Sequence, residues 1–102
     1  MMSMADNTRK LDNCELCQRR VALTLHHLIP RKLHRRNFFK KKYTRQQLQS
    51  CIRICRTCHN GVHRLYDEMT LGKKLNTLEL LKSDVAITRH VAWVAKQKHA
   101  TS

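Results

Sequence analysis

The spacing of apolar positions differs between the two halves of the chain. In the first half, residues 21–25 and 51–54 are short apolar runs with β-branched residues, a pattern that predicts strands. In the second half, apolar or small residues recur at helical spacing, at Leu75, Leu78, Leu81, Val85, Ala92 and Ala95. The pattern therefore predicts two strands followed by C-terminal helices.

Local signals divide the first half further. Pro30 disfavours helix in the residue before it, so the first predicted strand ends there. Residues 31–47 predict a loop or a short helix, with Thr44 as a candidate N-cap. The second strand leads into residues 59–66, where a further helix is expected to begin.

Three local sequence signals predict where helices begin and end in the second half of the chain. Residues 70–74 predict a turn around Gly72, because glycine is the residue that most often interrupts a helix. Asn76 is followed three residues later by a glutamate, which resembles a capping box with Asn76 as the N-cap. Residues 83–84 are expected to divide the C-terminal segment into two helices.

The chain has 102 residues, which is the length of one domain. Residues 1–12 are polar and lack periodicity, and they are predicted to form an N-terminal tail. We expect residues 13–102 to form a single domain, in which a core of residues 13–68 precedes helices in residues 69–102. A domain of this size buries a modest apolar core and often depends on a metal or on disulfides.

Basic residues outnumber acidic residues threefold, with 21 Lys+Arg against 7 Asp+Glu and a formal net charge of +14. No acidic residue lies between Glu15 and Asp67, a stretch that carries 13 Lys+Arg. This asymmetry indicates a polyanionic partner, either nucleic acid or an anionic membrane. The basic stretch lacks the large apolar face of a membrane-surface helix, so we expect nucleic acid and no membrane partner.

Eight of these basic residues fall in one short segment, where they are expected to contact the phosphate backbone of DNA. They are Arg31, Lys32, Arg35, Arg36, Lys40, Lys41, Lys42 and Arg45. Three aromatic residues, Phe38, Phe39 and Tyr43, lie in the same segment. We expect these rings to pack in the core rather than to stack on bases.

Targeting signals are absent from the pattern. No segment approaches the roughly 20 apolar residues of a membrane span, and the first residues lack the apolar run of a signal peptide. These features predict a cytoplasmic protein, in which thiols stay reduced. Five cysteines in that setting favour metal binding over disulfides.

Four of the five cysteines form two pairs with the same spacing. Cys14-x2-Cys17 and Cys55-x2-Cys58 are separated by 37 residues, and the first pair resembles a zinc knuckle. Two such turns can complete one tetrahedral zinc site with no open position, which predicts a structural role for the metal. Free thiols or a redox disulfide explain the matched spacing less well. Cys51 is expected to be a small buried apolar residue on a strand.

Four of the seven histidines form two groups. His26 and His27 are adjacent at the end of a predicted strand, and adjacent strand residues point to opposite sides, so they are expected to have different roles. His59 and His63 have the i, i+4 spacing that places both rings on one face of a helix. A third imidazole beside this pair would form a metal site with open positions. Surface histidines in a basic protein are the less favoured alternative.

The segments Leu25-His-His-Leu-Ile-Pro30 and Ile54-Cys-Arg-Thr-Cys-His-Asn-Gly-Val-His63 resemble the HNH endonuclease family. The likeness is to its small bacterial and phage members with a four-cysteine zinc site, and it spans Cys14 to about Tyr66. It implies an α+β fold, with a treble-clef-like ββα-metal core around the four-cysteine site and helices at the C-terminus. It also implies a metal-dependent endonuclease that hydrolyses phosphodiester bonds of DNA, double-stranded by preference.

The resemblance assigns a role to each matching residue. His27 corresponds to the general base that takes a proton from the attacking water. His26, His59 and His63 correspond to ligands of the catalytic divalent metal. The four paired cysteines correspond to the structural zinc site. A donor set of three imidazoles favours Zn²⁺, Ni²⁺, Co²⁺ or Mn²⁺ over Mg²⁺, which prefers oxygen ligands.

One position departs from the family's motif. The family has an asparagine about nine residues before the metal-binding histidine, where it holds the loop that carries the base, and this chain has Ser50 there. A serine hydroxyl has a shorter reach than an asparagine amide. Two alternatives follow: a degenerate HNH domain that binds metal without cleaving, and a non-catalytic zinc-ribbon protein that binds nucleic acid. The zinc-ribbon alternative does not explain the four histidines.

Overall fold

The computed structural model describes residues 11–97 as a three-stranded antiparallel sheet with six short α-helices and, besides them, one 3₁₀ helix at Arg31–Leu33. The elements in chain order are β1 (Leu11–Asn13), β2 (Arg20–His27), α1 (Asn37–Lys42), α2 (Arg45–Leu48), β3 (Cys51–Cys55), α3 (Arg56–Leu65), α4 (Glu68–Lys74), α5 (Leu78–Ser83) and α6 (Val85–Ala95). The fold is therefore a small α+β fold. No helix between residues 11 and 97 is long and apolar enough to cross a membrane.

The boundary of the predicted N-terminal tail was wrong by two residues. Leu11 and Asp12 belong to β1, where they pair with Ala22 and Val21 of β2. Asp12 also forms an ion pair with Arg53 at 3.1 Å, which links β1 to β3. The rest of the predicted tail, residues 1–10, lies outside the described residues.

The long hairpin of β2 and β3 carries the candidate site. Its register runs from Leu23 opposite Cys55 to His27 opposite Cys51. Because side chains alternate along a strand, Thr24 and His26 share one face of the sheet with the buried Ile52 and Ile54. The side chains of His27 and Leu25 lie on the opposite face of the sheet. The hairpin thus separates the two adjacent histidines, as the sequence predicted.

Helix α3 begins directly after β3 and packs between the sheet and α6. Its buried Val62 joins Ile54 of the sheet and Ile87 and Val94 of α6 in one apolar core that also includes the four paired cysteines. Gly61 lies on the α6 side, where a Cβ atom would collide with the ring of His90. A residue larger than glycine would therefore force the His90 ring to move. The C-terminal helices therefore pack on the core, as expected.

A second, smaller core lies beneath the basic segment. Phe39 is fully buried in it with Leu33 and Leu48, and the half-buried Tyr43 packs against it. The prediction of core packing is therefore confirmed for Phe39 and Tyr43. It was wrong for Phe38, which is 45% exposed because it lies on the outer side of α1, where the Lys73 ammonium group sits 4.6 Å above its ring.

The predicted caps were partly right. Thr44 caps α2 in a complete capping box with Gln47. The expected division at residues 83–84 is also present, because the Asp84 carboxylate accepts the Ile87 N–H at 3.0 Å and begins α6.

Two predictions around Gly72 were wrong. Residues 70–74 lie within α4 rather than in a turn, and Gly72 is needed for packing, since a Cβ there would lie 2.6 Å from Leu33. Asn76 does not cap α5. Its side-chain amide instead donates to the Tyr43 hydroxyl and to the Gly72 carbonyl, both at 2.9 Å, and Thr77 is the N-cap.

Candidate metal centre and its surroundings

The four paired cysteines converge on one buried point. All four are at most 6% exposed, and their sulfur atoms lie within 4.8 Å of one another. The sulfurs of Cys17 and Cys55 are 3.8 Å apart. A tetrahedral site with metal–sulfur bonds of about 2.3 Å has an edge of roughly 3.8 Å. The cluster therefore fits one tetrahedral metal such as zinc.

Backbone amides surround the sulfurs, because the first cysteine pair lies in a tight turn and the second at the start of α3, where Cys55 is the N-cap. The N–H groups of Leu16 and Cys17 donate to the Cys14 sulfur at 3.4 and 3.3 Å, and the Cys58 N–H donates to the Cys55 sulfur at 3.4 Å. Such donors stabilise the charged thiolate that a metal requires. The geometry is that of the knuckle expected from the C-x2-C spacing.

Arg19 adds a positive charge that the sequence did not single out. Its guanidinium Nη2 lies 3.5 Å from the Cys55 sulfur, and its Nη1 donates to the Gln97 carbonyl at 3.2 Å. Hydrogen bonds from the Cys14 and Cys58 thiols, and then from Arg19, lower the pKa of the Cys55 thiol. Arg19 therefore links the cysteine cluster to the residues that follow α6.

Three histidines form a second cluster on the inner side of the hairpin. The ring of His26 lies 5.2 Å from the rings of both His59 and His63, which are themselves 5.0 Å apart. One nitrogen of each ring lies within 4.8 Å of those of the other two. The i, i+4 spacing on α3 aligns two rings, and only the packing of α3 against β2 adds the third.

His26 carries the strongest sign that this cluster holds a ligand. It is 1% exposed, and neither ring nitrogen has a hydrogen-bond partner within the described residues. An unsatisfied buried polar group costs about 1–3 kcal/mol. Burial, and then the neighbouring His59 and His63, lower its pKa to about 3, so the ring is neutral and has a free electron pair. The three residues therefore fit a divalent metal.

The stability of the protein should depend on His26 in a pH-dependent way when zinc occupies the cysteine cluster alone. The unfolded chain binds a proton at His26 near pH 6.5, whereas the folded state does not until about pH 3. Stability is therefore lost as the pH falls below 6.5, by at most about 1.4 kcal/mol per pH unit. Between pH 7 and pH 5, the His26→Leu variant should become more stable relative to wild type by up to about 2 kcal/mol.

Urea unfolding of both proteins at the two pH values measures this difference. Acid loss of zinc from the cysteine cluster affects both chains alike, so it cancels in the comparison. An equal loss of stability in wild type and variant would contradict the assignment of a buried, neutral His26.

His27 lies apart from this cluster and faces an open pocket. Its imidazole lines a cavity of about 240 Å³ together with His59 and His63. Burial, and then the positive charge of Arg31 and the neighbouring His34, lower the pKa of His27. The ring is therefore neutral at physiological pH and can accept a proton.

Two residues near His27 were missed by the sequence analysis. His34 donates through Nε2 to the Ile29 carbonyl at 2.7 Å, and its ring lies 6.2 Å from that of His27. Glu68 of α4 lines the same pocket and lies 3.6 Å from the Lys32 ammonium group. A lone histidine and a lone glutamate carry no sequence signal, because only the fold brings them to the pocket.

Ser50, which the resemblance aligns with the asparagine of the HNH motif, accepts a hydrogen bond from the loop after His27 through its backbone. Its hydroxyl donates to the Gln46 carbonyl at 3.4 Å, within the preceding turn. Its carbonyl accepts the N–H of Leu28, the residue after His27, at 3.1 Å. The hydrogen bond to the loop is thus independent of the side chain at position 50.

The eight basic residues singled out from the sequence are all exposed. Two of them, Arg31 and Lys32, line the pocket beside His27, and the other six continue along α1 and α2 and their flanking turns. Positive charge therefore extends outward from the pocket mouth. An extended anion that ran along this segment would reach the histidines.

Together, the fold and the four paired cysteines define a small α+β protein with a buried four-cysteine cluster that could bind a metal. No protein-family model and no solved structure matches the chain. Over 85 residues it is 36% identical to the uncharacterized protein YisB of Bacillus subtilis (strain 168), covering 82% of this chain and 74% of that protein. The chain belongs to the same family as YisB.

Proposed function

We propose that this protein is a metal-dependent endonuclease of the HNH, or ββα-metal, type that cleaves DNA. The single observation that carries the proposal is the cluster of His26, His59 and His63 with the separate His27 in the adjoining pocket. The order β2–β3–α3 supports the proposed treble-clef-like ββα core, since one strand pair and one helix supply all four histidines.

The histidine cluster would hold a divalent metal, and neutral imidazoles favour Mn²⁺, Ni²⁺, Zn²⁺ or Co²⁺ over Mg²⁺. When bound, the metal supplies positive charge that offsets the negative charge growing on a phosphodiester as its bond to the leaving oxygen breaks. The zinc of the cysteine cluster has a structural role, because four thiolates leave no open position.

His27 is the proposed general base. A neutral imidazole with a lowered pKa can accept a proton from water at physiological pH. Arg31 and Lys32 lie at the same pocket and are suited to hold the phosphate that is attacked. The remaining basic residues of the segment would hold the DNA backbone on either side, without reading its sequence.

The test is cleavage of a supercoiled plasmid by protein that carries zinc only at the cysteine cluster. Addition of Mn²⁺, Ni²⁺ or Zn²⁺ should produce nicked or linear DNA with 5′-phosphate ends, and Mg²⁺ should be less effective. The His63→Ala variant should lose this activity because it lacks one of three metal ligands.

A non-catalytic nucleic-acid-binding protein is the second candidate. The observation in its favour is Ser50, whose hydroxyl donates to the Gln46 carbonyl in its own turn and, among the described residues, makes no hydrogen bond to the segment that follows His27. Salt-dependent DNA binding without cleavage in any of the metals would select this alternative and overturn the nuclease proposal.

A further inference from the structure

Thr24 occupies a position on β2 from which it contacts the histidine cluster. It lies two residues before His26 on the same face of the strand, opposite Ile54 of β3. Its hydroxyl makes two hydrogen bonds. One goes to the Ile54 carbonyl at 2.9 Å, and the other joins it to Nδ1 of His59 at 2.8 Å.

The donor in each bond follows from the number of hydrogens. A threonine hydroxyl has one hydrogen to donate, and a carbonyl oxygen can only accept. The hydroxyl hydrogen therefore goes to Ile54, which leaves only a lone pair of the hydroxyl for His59. The second bond needs a hydrogen, so Nδ1 of His59 must supply it.

This assignment fixes the tautomer of His59. A neutral imidazole has one N–H and one free electron pair, so protonation at Nδ1 leaves the electron pair on Nε2. Only the unprotonated nitrogen can bind a metal. The same hydrogen bond also limits rotation of the ring, because the hydroxyl is anchored to the backbone of the neighbouring strand.

We propose that Thr24 is a positioning residue that holds His59 in the Nδ1–H tautomer with its Nε2 electron pair free for a metal. This inference rests on the metal site of the proposed function. Groups that accept the second N–H of a metal-binding histidine typically affect metal affinity by about 10–100-fold. Here that group is a hydroxyl from the sheet rather than a carboxylate.

The pairing also explains why this threonine belongs on the inner face of the hairpin. A valine has nearly the same shape and a high strand propensity, so packing alone does not require the hydroxyl. Valine at this position would, however, leave Nδ1 of the part-buried His59 without its partner. The hydroxyl is therefore the feature of Thr24 that the cluster uses.

Two variants separate the hydroxyl from the shape of the side chain. Thr24→Val retains the shape and loses the hydroxyl, whereas Thr24→Ser retains the hydroxyl and loses a methyl group. Each full-length protein would carry zinc at the cysteine cluster, and binding of Ni²⁺ to the histidine cluster would be measured by calorimetry. We expect Thr24→Val to weaken Ni²⁺ binding by about 10–100-fold, and Thr24→Ser to stay within about threefold of wild type.

Nuclear magnetic resonance of the imidazole nitrogens gives a readout that needs neither the second metal nor activity. In the Ni²⁺-free wild type and in Thr24→Ser, His59 should be protonated at Nδ1. In Thr24→Val, the Nε2–H tautomer should become populated. A purely structural role for Thr24 would lower thermal stability without changing this signature.

Three outcomes overturn the inference: an Nε2–H tautomer of His59 in wild type, wild-type Ni²⁺ affinity in Thr24→Val, or no Ni²⁺ binding by the histidines of wild type. Absence of DNA cleavage does not bear on it. A protein that binds Ni²⁺ through the expected tautomer without cleaving DNA would refute the nuclease and leave the role of Thr24 intact.

Discussion

Replacement of Cys58 by serine is expected to leave most of the chain unfolded at neutral pH. The four cysteines are buried and form part of the main apolar core, with Ile54 and Val62. A structural zinc site contributes on the order of 10 kcal/mol in zinc-finger peptides. A small domain has a total stability of about 5–15 kcal/mol, so this site accounts for much of the folded state.

The position of Cys58 makes the effect severe. It is fully buried in the first turn of α3, three residues after the end of β3, so a metal bound there would join the helix to the β1–β2 turn that carries Cys14. Without the metal, the three remaining thiols would lie buried in the core with weak hydrogen bonds in place of metal bonds, which is a net cost to the folded state. Unfolding would relieve that cost.

Circular dichroism and thermal unfolding of zinc-loaded proteins measure the effect, with Cys51→Ser as the matched control. Cys51 is the cysteine outside the cluster, and the one hydrogen bond of its thiol within residues 11–97 goes to the Gln49 carbonyl at 3.3 Å. The control should keep both its zinc and its melting temperature. Cooperative unfolding of Cys58→Ser at the wild-type temperature would refute the structural role of the cluster.

Replacement of His27 by alanine is expected to reduce the rate of plasmid cleavage by roughly 10²–10⁴-fold, the usual contribution of a general base. The variant should bind the catalytic metal as tightly as wild type, because His27 belongs to the pocket and not to the three-histidine cluster. It should also fold normally, since its ring makes no hydrogen bond within residues 11–97.

The comparison with His63→Ala distinguishes the base from a metal ligand. His63→Ala should lose metal affinity and cleavage together, whereas His27→Ala should lose cleavage alone. Added imidazole should restore part of the activity to His27→Ala by serving as a substitute base. Retention of more than about a tenth of wild-type cleavage in His27→Ala would exclude the assigned role.

Short-range patterns determined much of this protein. The two C-x2-C pairs specify tight turns, and the i, i+4 spacing of His59 and His63 specifies one face of α3, because both depend only on local geometry. Strands β2 and β3 were likewise readable, whereas β1 was missed. The cap at Thr44 and the helix division at Asp84 are each fixed by residues within four positions of one another.

Contacts between distant segments decided the rest. Asn76 was expected to cap α5, but its side-chain amide donates to the Tyr43 hydroxyl, 33 residues away, and the next residue, Thr77, caps the helix. Gly72 was expected in a turn, but it lies within α4, where the Leu33 side chain from another segment leaves little space for a Cβ. A local pattern cannot indicate a partner that only the folded chain brings near.

The candidate site shows the same division. The sequence identified His26, His27, His59 and His63 as a set, through their spacing and their resemblance to a known motif. It did not indicate that His26 would be fully buried without a hydrogen-bond partner, or that His34 and Glu68 would lie beside His27. It gave no sign that Thr24 would contact His59. Residue spacing determines which side chains lie on the same face of a helix or strand. Only the packing of β2 against α3 determines which groups those side chains contact.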